Sequence, residues 1–481
     1  MAYISSFKGQ DWLIPQSISD MIPKNHICFF VEEFVESLDF SGFDMINEGQ
    51  GHPSYHPRIL MKVLLQGMLS NERSSRKLAN ACSENFVFMY LAEKVNPNFR
   101  TFCRFRRQNA PFIKEVFKET IKLASKNDLV DLNLICTDGS KIKANASKKK
   151  FLKEDQVNQL DSIIDEMIEE DVRRDKQEEE IYGESEINKT SLETKNLKEI
   201  VKTYRKNKDK QGVKEICKAA KEEFKKDEKI KRVSMTDPDC RMMKGKKGNY
   251  ELAYNTQFTA DSKNQIILAN DVCQDNADTN QLRPQIEEVR ENIELKEDTK
   301  FAADSNYNNS NNLRFLEEEN MIGYIPNQAQ AQVMNCRDQT IHQDDYEYDW
   351  KNDEIILEGV RLVYQSTWVE KGRGKRLVYK SEDGKLMKRV PEFFRERLRM
   401  KKRMETKEGT EIYSKRKYVI EPVIGNVKYN YKFEEFSLRG LDGVRLELNL
   451  VSIAHNLKKI WRARMRLEDN NKNILIFELI F

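Results

Sequence analysis

The sequence predicts an α/β domain that follows an all-helical segment and is interrupted by two insertions, and three observations predict it. Two apolar, strand-like runs, over 129–138 and around Phe301, each stop at an aspartate, Asp138 and Asp304. Alternation of Tyr250, Leu252, Tyr254, Thr256 and Phe258 with more polar residues marks a further strand between them. Around this framework lie a highly charged stretch with helical spacing, 148–235, and a β-like stretch, 328–405.

The length of 481 residues suits two or three domains with a well-buried core. Lys and Arg number 82 against 79 Asp and Glu, a net charge of only +3, so a nucleic-acid partner has to be met by local patches rather than by bulk charge. No apolar run reaches the roughly 18 residues of a spanning helix, and the first fifteen residues lack a secretory pattern; the expected location is cytoplasmic. Eight dispersed cysteines without a CxxC pair support neither a zinc ribbon nor a disulfide framework. His52 and His56 have the spacing of a helical ligand pair, but Pro53 and Pro57 follow them and favour a loop.

Taken in order, residues 1–126 read as a helical N-terminal DNA-binding domain. Leu60, Val63, Leu64 and Met68 recur at helical spacing after Pro57, which suits a helix start. Further on, FRTFCRFRRQNAPF interleaves Phe99, Phe102 and Phe105 with arginines, of which Arg104, Arg106 and Arg107 are candidate DNA contacts because guanidinium groups suit phosphates and base edges. Residues 127–147 and 236–327 form the α/β core, with a hairpin after Asn249, a helix over 279–292 and a short strand ending at Asp304. The charged insertion 148–235 reads as coiled-coil-like helices, with Val157, Leu160, Ile164 and Met167 in one stripe and Leu197, Ile200, Val201 and Tyr204 in another. After the β-rich insertion 328–405, residues 406–481 return to the core with a third acid, Glu421, and an apolar C-terminal helix.

Each acid has an ordinary reading: Asp138-Gly139 as a turn, and Glu421 as one charge on a solvated helix face. If Pro422 opens a helix, Arg416 lies before it, while Glu421 and Lys428 share a face two turns apart. Two aspartates at strand ends of one sheet can converge across neighbouring strands. With Glu421 they make three hard oxygen donors, suited to two magnesium or manganese ions that activate an attacking oxygen and steady a leaving one.

Several stretches together resemble one family. They are HPRILMKVLLQGMLSNERSSRKLA, TDGSKIKANAS around Asp138, TDPDCRMMKGKKGNYELAYNTQ, FAADSNY at Asp304, YSKRKYVIEPVIGNVKYN at Glu421 and FSLRGLDGVRLELNLVSIAHNLKKI. The chain resembles bacterial insertion-sequence DDE transposases whose third acid lies in a Tyr-Arg-Glu-Lys signature, on a ribonuclease-H-like catalytic domain. The resemblance implies that Asp138, Asp304 and Glu421 are the catalytic acids and bind Mg2+ or Mn2+. It also implies that Tyr413, Arg416 and Lys428 help hold element-end DNA. Arg416 has four residues before Glu421 where the signature has three, so Lys417 shares its place. Double-stranded DNA at terminal inverted repeats and at the target is the implied partner, with a homodimer in the transposition complex and nucleoid association when bound. The implied activity is strand cleavage and joining; a transposase-derived DNA-binding protein without catalysis is the alternative.

Overall fold

The computed structural model describes residues 17–46, 55–178, 210–228, 230–245, 248–334, 346–370 and 374–478. The helical segment comprises α1 (Ile27–Glu36), α2 (Ser41–Ile46), α3 (Pro57–Leu69), α4 (Ser75–Glu84), α5 (Phe86–Leu91), α6 (Phe99–Gln108) and α7 (Ala110–Lys126). As expected, α3 opens at Pro57; the His56 Nδ1 caps it by accepting from the Arg58 amide at 3.1 Å. Buried on nearly every side, α3 even encloses Lys62, whose ammonium is neutralised by Glu32, Glu36 and Glu93.

Strand β1 (Leu134–Lys143) then enters the central sheet. It differs from the expected strand over 129–138: it starts later, because Leu132 adopts a left-handed conformation (φ 58°), and runs five residues past Asp138. The charged insertion leaves β1 through β2 (Phe151–Leu152) and α8 (Glu154–Glu178), and returns through α9 (Lys210–Lys226) and β3 (Val233–Ser234). Val157, Leu160 and Ile164 on α8 pack with Val213, Cys217 and Phe224 on α9 in a small core of their own. The second apolar stripe, at Leu197 to Tyr204, lies outside the described residues.

The core resumes with β4 (Arg241–Lys244), β5 (Tyr250–Asp261), β6 (Ile267–Cys273), α10 (Leu282–Asn292), β7 (Lys300–Ala303), α11 (Ser310–Glu318) and β8 (Ile322–Tyr324). The sheet order is β4-β5-β1-β7-β8, with β6 also on β5; β4, β5 and β6 join as antiparallel pairs, and β1, β7 and β8 run parallel. The second insertion contains α12 (Gln328–Met334) and a five-stranded antiparallel sheet of β9 (Glu347–Asp349), β10 (Glu354–Leu357), β11 (Val360–Glu370), β12 (Gly374–Lys380) and β13 (Met387–Pro391). It then turns helical at α13 (Phe394–Glu405), so it is less purely β than its sequence suggests.

Two helices close the core, α14 (Lys407–Gly425) and α15 (Leu441–Glu478). Along α15, buried Asn456 accepts from the Ile267 amide at 2.8 Å and donates to the Ile267 carbonyl at 3.0 Å, which satisfies backbone groups of β6 at the sheet edge. Arg73 ties the helical segment to this half of the chain: it bonds Glu447 and the carbonyls of Glu435 and Lys432, and lies 4.8 Å over the Phe433 ring. No helix among the described residues is long and apolar enough to cross a membrane.

Candidate functional site

Parallel pairing of β1 with β7 brings the two aspartates together. Thr137 lies opposite Ala303, so the next residues, Asp138 and Asp304, are neighbours where the two strands part. Asp138 is thus in mid-strand rather than at a strand end, and it still leaves the β1–β7 pair at that level. Asp304 follows β7 and caps a short 3-10 turn, accepting from the Ser305 amide at 2.7 Å.

On the opposite face of β1, Gly139 leaves room for two polar side chains. A Cβ there would fall 2.3 Å from the Asp278 carboxylate and 2.5 Å from the Gln257 amide. That carboxylate accepts from Asn255 and Gln257, each at 2.7 Å, and buried Tyr307 donates to Gln257 from the turn that Asp304 caps. One hydrogen-bonded network thus holds both aspartate-bearing segments against β5.

The third acid arrives on α14, and here the expected helix boundary is wrong. Pro422 lies inside the helix rather than at its start, so Arg416 is helical too. A proline at this position denies the Tyr418 carbonyl its usual i+4 donor, and the Gln265 side chain donates to that carbonyl instead, at 2.8 Å. Buried Ile412, Tyr413, Arg416, Val419, Ile420 and Val423 form the inward stripe of α14.

Tyr413 and Arg416 are therefore only 2% and 5% exposed, and they face the acids rather than outward toward DNA. Arg416 donates to Asp138 at 3.0 Å and reaches Glu421 at 4.0 Å, while its guanidinium lies 5.4 Å from the Tyr413 ring centre. Tyr413 donates to Asp304 at 3.3 Å. Lys417, the other claimant to the arginine's place, is exposed. Glu421 has a 55% exposed side chain and is linked to the aspartates through Arg416.

Lys428 sits in a π-helical turn, Asn426–Asn430, which widens the helix beyond the regular two-turn spacing; its ammonium donates to the Lys141 carbonyl of β1 at 2.7 Å. His455 holds the start of that turn: one ring nitrogen pairs with the Asn426 amide and the other with the Gln265 carbonyl, each at 2.9 Å.

Burial pushes the Asp138 carboxyl up to about 6, against the pull of Arg416 and with a further rise from the Asp304 charge. The two aspartates thus concentrate negative charge in a desolvated crevice, which a hard divalent cation would relieve. In donor chemistry they fit such an ion. Among the described residues, however, no three His, Cys, Asp or Glu side chains converge closely enough to hold one. Arg416 supplies the positive charge at Asp138.

In the helical segment, Arg106 is only 4% exposed and donates to Ser75 and the Arg73 carbonyl, so it is built into the fold and unavailable to DNA. Arg104 and Arg107 are exposed. Phe102 and Phe105 are core residues.

The fold and site thus define an α/β domain centred on paired aspartates, with a third acid on a helix laid across the sheet. Residues 16–108 match the family described as Transposase domain (DUF772), and residues 377–461 match the Transposase DDE domain. The two matches, toward opposite ends of the chain, support a transposase of the insertion-sequence DDE type. The second spans α14 with Glu421; neither reaches Asp138 or Asp304. Comparison with curated proteins finds no match.

Gly139, Gln257, Asp278, Tyr307, Gln265 and His455 carry no local sequence signal for a role at this site. The inward position of Arg416 does have one: the 412, 413, 416, 419, 420, 423 periodicity, once helix is allowed to continue through Pro422.

Proposed function

We propose that this transposase binds the double-stranded ends of its element as a homodimer, hydrolyses a phosphodiester there and joins the freed 3′ end to target DNA. Asp138, Asp304 and Glu421 are its catalytic acids, and a ribonuclease-H-like core carries them. The observation that carries this reading is the register that sets Asp138 beside Asp304 on adjacent parallel strands, with Arg416 bridging from Asp138 toward Glu421. Bound magnesium or manganese would supply Lewis-acid activation of the attacking oxygen and stabilisation of the leaving one. Asp138 and Asp304 would hold it; Glu421, which stands beyond Arg416 and does not converge with them in this structure, would join as the third donor only on moving inward.

The chain's other residues divide into two roles. Tyr413 and Arg416 position the acids from inside α14, while Tyr307 and Gln257 brace the Asp304 turn from behind. Lys417 and Lys428, with Arg104 and Arg107 on the helical segment, neutralise DNA phosphates. Bound DNA would bring the protein to the nucleoid.

A cleavage assay on element-end DNA with magnesium tests the assignment. Asp138→Ala, Asp304→Ala and Glu421→Ala are each expected to abolish cleavage while leaving DNA binding largely intact. Full cleavage by any one of the three removes that residue from the site, and an inactive parent that still binds the ends points to a protein retaining only the DNA-binding role.

A further inference from the structure

The C-terminal half of α15 carries a row of cations outside the acid centre. Lys458, Arg462 and Arg466 follow one another at intervals of four residues, on one stripe of the helix, and Lys459 stands beside the first of them. Like charges at that spacing destabilise a helix by roughly 0.2–0.5 kcal/mol per pair. The repulsion is felt within this fold: burial makes both Lys458 and Lys459 easier to deprotonate, Arg462 acts on each in the same direction, and Arg466 adds to the effect on Lys459.

The contacts that hold the two lysines leave their charges in place. Lys459 donates to the Gln265 Oε1 at 2.6 Å, and Lys458 lies 5.4 Å from the Tyr431 ring centre. An amide and an aromatic ring orient an ammonium without neutralising it. Arg462 and Arg466 are exposed. Between them, Arg464 pairs with Glu33 of the helical segment at 2.8 Å.

The row adjoins the outer side of the helix that bears the third acid. Gln265, which holds Lys459, also donates to the Tyr418 carbonyl of α14, two residues past inward-facing Arg416 and therefore on the other side of that helix. Tyr418 is 76% exposed, and Lys417 beside it is exposed as well. Tyr429, 68% exposed, stands two residues before the Tyr431 ring that lies against Lys458. Tyrosine hydroxyls donate to phosphate oxygens as lysine and arginine do. Successive cations of the row rise by ~6 Å, close to two base-pair steps of a duplex at ~3.4 Å each.

We propose that this ridge of α15, flanked by Tyr418 and Tyr429, holds the phosphate backbone of duplex DNA on the outer side of α14. The inference rests on the reading of the chain as a DNA-binding transposase and adds a second helix to the surface that carries Lys417. The contact is to backbone alone, so it is indifferent to base sequence. A bound polyanion relieves the repulsion that the row otherwise imposes on the fold.

The test uses the full chain in EDTA, with fluorescence anisotropy over a range of salt on two blunt duplexes of equal length, one of element-end sequence and one unrelated. Arg462→Gln is expected to lower the salt slope by about 0.9 on both duplexes and to weaken both about eightfold at ~0.1 M salt, the effect of one phosphate contact. Arg462→Lys keeps the parent's slope, because a point charge suffices at a phosphate. Thermal melting of Arg462→Gln without DNA, at low salt, falls at or above the parent's temperature, since a repulsive neighbour has been removed. An unchanged slope, a loss confined to one duplex, an equal loss in Arg462→Lys, or a lowered melting temperature each overturns the proposal. A parent that binds neither duplex overturns the DNA-binding reading itself, whereas a binding parent matched by Arg462→Gln overturns the ridge alone.

Discussion

Replacing Arg416 by alanine removes a buried cation from between two acids, and the cost can be worked from the geometry. Arg416 donates to Asp138 at 3.0 Å, and their side chains are 6% and 21% exposed. Breaking a buried pair by deleting one partner costs about 3–5 kcal/mol when the other charge stays buried. Asp138 already titrates at about 6 with Arg416 in place, so in the variant it takes up a proton near neutrality and escapes part of that cost. A loss of about 3 kcal/mol at pH 8 follows.

The pH dependence gives the sharper check. Asp138 is raised from its ordinary 3.8 to about 6, so the folded state holds its proton more tightly than the unfolded chain and stability falls as pH rises from about 4 through about 6. Without Arg416 the folded value rises further, so the variant loses more at pH 8 than at pH 5.5. Urea denaturation in EDTA at both pH values measures this. A variant within about 0.5 kcal/mol of the parent at both, or one losing more at the lower pH, would refute the claim that Arg416 holds Asp138 ionised.

Gly139→Ala is expected to destabilise by about 1–2 kcal/mol, because its Cβ displaces the Asp278 carboxylate from two part-buried hydrogen bonds; a melting temperature equal to the parent's contradicts this. Burial lowers His455 from 6.5 to about 4, so its contribution is present above pH 6.5 and lost as pH falls toward 4. That amounts to about 2 kcal/mol between pH 7.5 and pH 5. Because Asp138 acts in the opposite sense over part of that range, the measurement is the difference between parent and His455→Gln, which is expected to flatten the acid loss. Lys428→Ala is expected to weaken element-end binding and lower the salt slope by about one unit; an unchanged slope leaves Lys428 as a strut to the Lys141 carbonyl.

Much of the architecture was legible because it depends on local chemistry. Pro57 after His56 set the start of α3, alternation from Tyr250 set β5, and the three-four stripe from Val157 set α8. Misreadings arose where a distant side chain supplied what the local chain lacked. Proline normally closes off helix N-terminal to it, but Gln265 answers the orphaned Tyr418 carbonyl from another element, and α14 runs through. Asp-Gly normally marks a turn, yet β5 pairs with β1 past that point and draws Asp138 into mid-strand. Arg106 was one of three candidate cations in sequence, and only the position of Ser75 on a neighbouring helix made it internal.

By itself the sequence determined the kinds of element, the two insertions and three candidate acids with oxygen-donor chemistry, because periodicity and side-chain type are properties of nearby residues. Only the tertiary structure decided what faces what. The parallel register of β1 with β7 set Asp138 beside Asp304, and the inward stripe of α14 turned Arg416 and Tyr413 onto them. Those outcomes depend on pairing and packing between residues more than a hundred positions apart, for which a linear pattern holds no signal.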